Sequence, residues 1–308
     1  MAINRKVYRS GYVHICQKSA DNGIIFNIVE DFLVLFTILS VKAAVFGVVI
    51  FAIAIMFNHF HIGAVVKSAP ILSAYMNSST SVFAKLYNKQ YGLEGQLFKK
   101  PFKSAPKYNE KKIRENLFYI WNNPVEKKAA STAEEYRWNF LKYMGNEHPF
   151  SEPIVLANAS KDLLRMMRKV KDKQSSNQYL DYSFFDDTYN SLSRSERLQL
   201  IDFIIVTYST ISKEAILEKF GDYQSLVQAV NTISGTEYDM VDDDDDEDYR
   251  HYRKMISIVK REGIDISHTR FNHDYFSERG ELLTRLHYLF KSEVGATDYE
   301  INKFLHLL

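Results

Sequence analysis

The pattern of hydrophobic and polar residues changes character near residue 150. Before this point, short runs of β-branched and aromatic residues predict strands at residues 12–17, 45–55 and 59–66. Apolar residues at helical spacing predict helices at residues 29–41 and 68–91. Strands with helices packed on them predict an α+β fold for this part of the chain.

The second half of the chain has a different pattern. Residues 154–308 contain no proline, and their apolar positions recur at helical spacing, which predicts an all-helical C-terminal domain. Gly145, Pro149 and Pro153 punctuate the segment between the halves, as in a linker. A chain of 308 residues with 46% hydrophobic content can bury cores of this size. The predicted domains are therefore residues 1–145 and 154–308.

One apolar stretch, residues 32–57, raises the question of a membrane helix. Lys42 interrupts it, and the strictly apolar part, residues 43–57, is shorter than the roughly 18 to 20 residues that cross a bilayer. Its isoleucine, valine and phenylalanine content favours a strand buried on both faces. The polar residues 10–22 that follow a basic start do not form a secretory signal. We therefore expect no membrane partner.

The single cysteine, Cys16, excludes internal disulfides and zinc sites built from several cysteines. This usage fits a reducing cytoplasm.

The first candidate for chemistry is the pair His59 and His61. Residues spaced i, i+2 on a strand point to one face, so the two imidazoles could hold a divalent ion together. The alternative is two half-buried strand histidines without a ligand. His14, inside the first predicted strand, has the same two interpretations, and a structural role is favoured for it.

A second candidate is the predicted helix at residues 109–122. Tyr119 and Asn123 are four residues apart and share a helical face, and Lys112 and Asn116 continue that face toward the start of the helix. Pro124 is expected to end the helix. Tyr119 could equally be an amphipathic core residue with its hydroxyl at the edge.

A basic stretch surrounds this helix. The net charge is only +1, so affinity for nucleic acid would require a local patch. The stretch spans residues 85–128, and its predicted DNA-binding cations are Lys85, Lys89, Lys99, Lys100, Lys103, Lys107, Lys111, Lys112 and Arg114. Aromatic residues interleave with them: Tyr87, Tyr91, Phe98, Phe102, Tyr108 and Trp121. Cations along a backbone, with rings for unpaired bases, favour single-stranded DNA. The alternative is ordinary surface lysines over core aromatics.

Taken together, these stretches resemble the histidine-hydrophobe-histidine (HUH) single-tyrosine transposases, a family of small insertion-sequence transposases and relatives associated with repetitive extragenic palindromes (REP). The family pattern contains Met-Pro-Asn-His-hydrophobe-His, Gly-x-Leu-(Phe/Trp)-x-x-x-Phe and Tyr-Ile-x-x-Asn-Pro-Val. This chain has residues 56–61, 95–102 and 119–125 in the same order and at similar intervals. Phe57 stands where the family usually has proline.

The resemblance implies a ferredoxin-like antiparallel sheet and a role for each motif residue. His59, His61 and Asn123 would bind Mg²⁺ or Mn²⁺, and Tyr119 would be the nucleophile that forms a 5′-phosphotyrosine. Lys112 is a candidate partner of the phosphate or the phenolate. Trp138 falls in the closing segment of the family, where a core role is expected.

The function that the resemblance implies is transposition by cleavage and rejoining of single-stranded or hairpin DNA. It also implies a homodimer and a location in the cytoplasm, at the nucleoid. The alternatives are a DNA-binding protein that has lost catalysis and, less favoured by the basic stretch, a small-molecule metalloenzyme.

Three features of the C-terminal half have no assigned role. The acidic run at residues 242–248 is expected to be a solvated loop; autoinhibition of the basic patch is an alternative, and its spacing does not match an EF-hand. The basic helix at residues 161–171 either runs along DNA or has a solvated face. Residues 297–300 predict a capping box at the last helix, which could begin a truncated helix-turn-helix.

Overall fold

The computed structural model describes residues 10–20, 22–232, 246–264, 271, 273–305 and 307. One antiparallel sheet is built from four strands in the spatial order β2-β3-β1-β4. Its strands are β1 (Gly11–Lys18), β2 (Val49–Ile55), β3 (His59–Val66) and β4 (Lys103–Pro106).

Three long helices pack on this sheet: α1 (Val29–Phe46), α2 (Ala69–Tyr91) and α3 (Glu110–Glu126). The chain order β1-α1-β2-β3-α2-β4 with this strand order is the ferredoxin-like arrangement. The prediction of an α+β fold with a ferredoxin-like sheet is therefore confirmed.

The two faces of the sheet carry different layers, because successive strand residues point in opposite directions. Val13 and Ile15 of β1 and Phe60 of β3 pack in one core with α1 and α2. Tyr12 of β1 and Ala52 of β2 pack in a second core with α3. Helices α1 and α2 therefore cover one face of the sheet, and α3 covers the other.

The C-terminal half is helical, as predicted. Its helices are α4 (Lys161–Ser175), α5 (Asp187–Ser191), α6 (Arg194–Tyr208), α7 (Lys213–Phe220), α8 (Tyr223–Thr232), α9 (Asp246–Arg261), α10 (His273–Ser277), α11 (Gly280–Leu289) and α12 (Asp298–Phe304). The first of them extend the core of α1 and α2, since Leu163, Leu200 and Ile204 belong to that cluster. Helices α9 to α12 form a separate cluster that also contacts Ile24 and Phe57.

Two predicted boundaries were wrong. The strand predicted from residue 45 begins at Val49, because α1 continues to Phe46 and ends at Gly47, which adopts a left-handed φ of 62°. Pro124 does not end α3, which runs to Glu126. Proline removes one backbone hydrogen bond, and in the last turn the helix tolerates that loss while Lys127 N still donates to Asn123 O at 3.0 Å.

The predicted capping box at the last helix is present. The backbone amide of Thr297 donates to Glu300 Oε2 at 2.6 Å, and the amide of Glu300 donates to Thr297 Oγ1 at 3.2 Å. Residues 242–245 and the side chains of residues 246–250 lie outside the described residues, so the hypotheses for the acidic run stay predictions. In the described part of the chain, no helix combines the length and apolar character needed to span a membrane.

Candidate active site

The strand register brings three histidines onto the face of the sheet that α3 covers. His14 on β1 lies opposite Gly63 on β3, and Cys16 lies opposite His61. His14 and His61 are therefore diagonal neighbours on adjacent strands, and His59 follows on the same face two residues before His61. All three histidines are buried. The sequence identified His59 and His61 and placed them on one face, but it favoured a purely structural role for His14.

Hydrogen bonds hold two of these imidazoles through the Nδ1 atom. His61 Nδ1 lies 3.0 Å from His14 Nε2, and His59 Nδ1 lies 2.6 Å from Asn58 Oδ1. The orientation of the Asn58 amide is fixed independently, because its Nδ2 donates to the carbonyl oxygen of Asn22 at 2.9 Å. An amide oxygen can only accept, so His59 Nδ1 carries a proton, and in the neutral imidazole the lone pair is on Nε2.

Tyr119 on α3 reaches this cluster. The centroid of its ring lies 5.4 Å from the ring of His14 and 5.4 Å from the ring of His61, with edge-to-face geometry in both pairs. Its side chain is 4% exposed. The structure therefore brings Tyr119 together with His14 and His61 within one chain.

Asn123 follows Tyr119 by one turn of α3 and is completely buried. Both amide atoms of its side chain are buried and make no hydrogen bond with any described residue. A buried amide without partners is costly, so this side chain is suited to an external ligand.

The donor set of the cluster can be compared with what a divalent ion requires. No three His, Cys, Asp or Glu side chains converge on a possible ion position in the described ranges. The ligands that the resemblance implies for an ion at this site are the Asn123 amide oxygen and imidazole nitrogens of His59 and His61. Imidazole nitrogens and an amide oxygen are acceptable ligands for Mn²⁺, and Mg²⁺ prefers more oxygen.

Close packing of α3 on the sheet depends on Gly63. A Cβ atom at this position would lie 2.0 Å from the hydroxyl oxygen of Tyr12 and 3.1 Å from Cδ1 of Ile120. The Tyr12 hydroxyl uses that space to donate to Asn116 Oδ1 of α3 at 2.9 Å. Burial raises the pKa of Tyr12 far above its ordinary value, so the phenol stays neutral as a donor.

The outer face of α3 contacts the helical half of the chain. Asn122 Nδ2 donates to the carbonyl oxygen of Val230 at the end of α8, at 2.7 Å. The guanidinium of Arg114 donates to the carbonyl oxygen of Lys219 and lies 5.0 Å from the centroid of the Phe220 ring. Helices α7 and α8 therefore contact α3, the helix that carries Tyr119, on the side opposite the sheet.

The predicted DNA-binding cations occupy several places. Eight are exposed, namely Lys85, Lys89, Lys99, Lys100, Lys103, Lys111, Lys112 and Arg114, whereas Lys107 is buried. Lys103 lies opposite Cys16 and therefore on the face of the sheet that carries the histidines. Lys112 lies in the first turn of α3, about 10 Å along the axis from Tyr119.

The predicted base-stacking rings are mostly core residues. Tyr87, Tyr91, Phe98, Phe102 and Trp121 are all buried, and only Tyr108, at 77% exposure, could meet a base. The alternative interpretation of core aromatics is correct for these five. Trp138 has the expected packing role, with its ring stacked on Phe32 at a centroid distance of 4.4 Å.

Sequence reasoning missed Asn58 as the hydrogen-bond partner of His59 and His14 as that of His61. The alternation of Tyr12, His14 and Cys16 places His14 on one face of β1, but the register that sets it beside His61 comes from pairing across 47 residues. Asn58 could have been noticed, since a metal-ligating histidine usually donates its other ring N–H to a nearby acceptor and the Asn58 amide oxygen is one.

No protein-family model and no curated protein matches the chain. Among solved structures, the chain is similar to a REP-associated tyrosine transposase bound to a REP hairpin, with 14% identity and a TM-score of 0.38 over 45% of this chain and 81% of that one.

Proposed function

We propose that this protein cleaves and rejoins single-stranded or hairpin DNA through a covalent bond to Tyr119. The observation that carries the proposal is the position of the Tyr119 ring, 5.4 Å from the rings of both His14 and His61. A phenol on a helix beside imidazoles on a sheet, in a chain with exposed lysines nearby, fits attack on a phosphodiester.

The proposed cation is Mg²⁺ or Mn²⁺, held by His59, His61 and Asn123. When bound, it would stabilise the negative charge that develops on the phosphate during transfer. Asn58 and His14 would act as positioning residues, because each engages the Nδ1 atom of a ligating imidazole.

The transfer step balances without a nucleotide cofactor. The Tyr119 oxygen forms a bond to phosphorus, and the bond from phosphorus to the 3′-oxygen breaks. The proton lost from the phenol is matched by the proton gained at the free 3′-hydroxyl. Attack by a 3′-hydroxyl on the phosphotyrosine reverses the step and rejoins a strand. Lys112 would contact a neighbouring phosphate, since it lies two turns from the phenol.

A binding-only protein is the second candidate. The burial of Tyr119, at 4% exposure, favours it, because DNA can reach the phenol only if the site opens. A homodimer stays a prediction. The position of Tyr119 beside His14 and His61 of its own chain supports a site that is completed within one chain.

The test is incubation of the protein with labelled hairpin DNA and Mn²⁺, followed by denaturing gel electrophoresis. We expect a denaturation-resistant adduct with the wild type. Tyr119→Phe should abolish it and leave DNA affinity unchanged, whereas the matched control Tyr108→Phe, at an exposed tyrosine, should keep it. Tight binding without any adduct, on hairpins taken from the DNA around the gene, would establish the binding-only function. An adduct that persists in Tyr119→Phe would contradict the assigned nucleophile.

A further inference from the structure

A groove lined by lysines, uncharged polar residues and apolar residues such as Leu97 and Phe98 lies on the other face of the sheet from the histidines. It has a volume of about 840 Å³ and runs between α2 and the segment 95–102 that leads into β4. Helix α2 contributes Asn77, Thr80, Ser81 and Lys85, and the facing segment contributes Lys99 and Lys100.

The charge of this groove is all of one sign. Three lysines line it, and no lining residue carries a carboxylate. Lys85 and Lys100 are exposed, and in the described part of the chain neither pairs with an acidic side chain. Lys99 Nζ donates to Asn22 Oδ1 at 2.6 Å, a neutral partner that leaves its charge uncompensated. Ammonium groups beside amides and hydroxyls form a surface suited to a polyanion with many hydrogen-bond acceptors.

The groove is connected to the candidate active site through the end of β1. Gln17 lines the groove, while its neighbours Cys16 and Lys18 point to the face that carries His61 and His59. The strand β4 lies at the edge of the sheet beside β1, and exposed Lys103 at its start faces the histidine side. A strand of DNA that passes around this edge therefore meets lysines on both faces.

We propose that the groove binds the sugar-phosphate backbone of the single strand that flanks the cleaved phosphodiester. This inference rests on the proposed function and adds a second contact region to it. Lys85, Lys99 and Lys100 contact phosphates, and the amides and hydroxyls of α2 contact sugars or base edges. The groove thereby fixes the direction in which the strand approaches Tyr119.

The test compares a blunt hairpin with the same hairpin carrying a single-stranded extension. We expect the extension to strengthen binding to the wild type, and the double variant Lys85→Ala, Lys100→Ala to remove that gain. The slope of the logarithm of the association constant against the logarithm of the salt concentration should become shallower by about 0.7 for each lysine removed. The control Lys254→Ala, Lys260→Ala makes the same charge change at exposed positions of α9 and should behave like the wild type.

A second variant tests the groove without removing a lysine. Ser81→Asp adds a carboxylate at an exposed lining position of α2, and repulsion from phosphate should weaken binding of the extended hairpin but not of the blunt one. Equal loss for both hairpins, or no loss, would overturn the proposal. Displacement of the extended strand by a mononucleotide at equal concentration would also overturn it, in favour of a small-molecule site.

The outcomes separate this inference from the proposed function. If the Tyr119 adduct forms but the groove variants bind the extension normally, the groove assignment is wrong and the nuclease proposal stands. If no adduct forms but the groove variants lose the extension, the groove binds DNA in a protein without strand-transfer activity.

Discussion

At the scale of single residues, the candidate site depends on which nitrogen of each histidine carries a proton. Asn58 decides this for His59, because its Nδ2 is held by the Asn22 carbonyl and its Oδ1 must face the imidazole. In the neutral imidazole this leaves the lone pair on Nε2, the atom that would ligate a cation.

Asn58→Leu should weaken metal binding. Leucine has a similar size but cannot accept a hydrogen bond, so His59 is no longer held in one tautomer. Mn²⁺ affinity, measured by titration calorimetry without DNA, should fall by roughly 10- to 100-fold. Asn190→Leu, at an exposed asparagine, serves as the control. Unchanged affinity in Asn58→Leu would rule out the role of Asn58.

Gly63 is a second residue on which the site depends. Gly63→Ala places a Cβ atom 2.0 Å from the Tyr12 hydroxyl and 3.1 Å from Cδ1 of Ile120, so the Tyr12 ring must move and its hydrogen bond to Asn116 of α3 is disturbed. We expect the free energy of unfolding, from urea titration, to fall by about 1 to 3 kcal/mol. Gly280→Ala meets no atom within 4 Å and should change the stability little. A stable Gly63→Ala variant with an unperturbed Tyr119 would contradict this packing argument.

At the scale of elements, α3 is held between the sheet and the pair α7 and α8. This arrangement explains why a helix with buried polar residues such as Asn116, Asn122 and Asn123 is stable in place. Asn116 bonds to the sheet side and Asn122 bonds to α8, so two of the three amides are satisfied by opposite layers. The third, Asn123, is the one proposed to ligate an ion.

Asn122→Leu tests the contact with α8. It removes the donor to the buried Val230 carbonyl, which should cost about 1 to 3 kcal/mol in the free energy of unfolding. Hydrogen exchange at the end of α8 should increase. Asn88→Leu removes a similar bond, to the carbonyl of Gly95, in an exposed setting and should cost less. Equal effects of the two substitutions would argue against a specific tie between α3 and α8.

At the scale of the whole molecule, buried carboxylates join the helical half to the sheet half. Asp31 of α1 accepts hydrogen bonds from the hydroxyls of Tyr91 and Tyr182, both at 2.8 Å, and from two backbone amides. Asp202 of α6 accepts from the guanidinium of Arg137 and the hydroxyl of Tyr143. The apolar core of α1 also continues into α4 and α6.

The pH dependence of stability tests the Asp31 contact. Burial, the largest influence, raises the pKa of Asp31 above its ordinary value despite these hydrogen bonds. Because the pKa of Asp31 is higher in the folded state than in the unfolded state, Asp31 contributes most to stability at acidic pH. This contribution is lost as the pH rises through the pKa of the folded state. Asp31→Asn does not titrate, and the tyrosine hydroxyls can rotate to accept from its amide. The unfolding free energy of the variant relative to the wild type should therefore increase with pH.

Asp186→Asn is the matched control with the opposite sign. Desolvation acts to raise the pKa of Asp186, but the backbone amide of Thr188 and the charge of Lys169 lower it below its ordinary value. Its contribution is present above the ordinary pKa and is lost as pH falls, so this variant should lose stability relative to the wild type as pH rises. The same trend in both variants would contradict the assigned shifts.

The sequence alone determined the features that follow from local periodicity. Alternation along β3 set His59 and His61 on one face, and helical spacing set Tyr119 and Asn123 on another. The capping box at Thr297 and the α+β class also followed from nearby residues. Such features depend on interactions a few positions apart, which the order of residues fixes directly.

Only the tertiary structure decided which distant residues meet. Strand register placed His14 against His61, and packing turned Trp121 and four other rings into the core instead of toward a ligand. Arg114 contacts Lys219 and Phe220, which are separated from it by more than 100 residues. These contacts depend on how preformed layers fit together, and many pairings of the same local elements have the same sequence pattern.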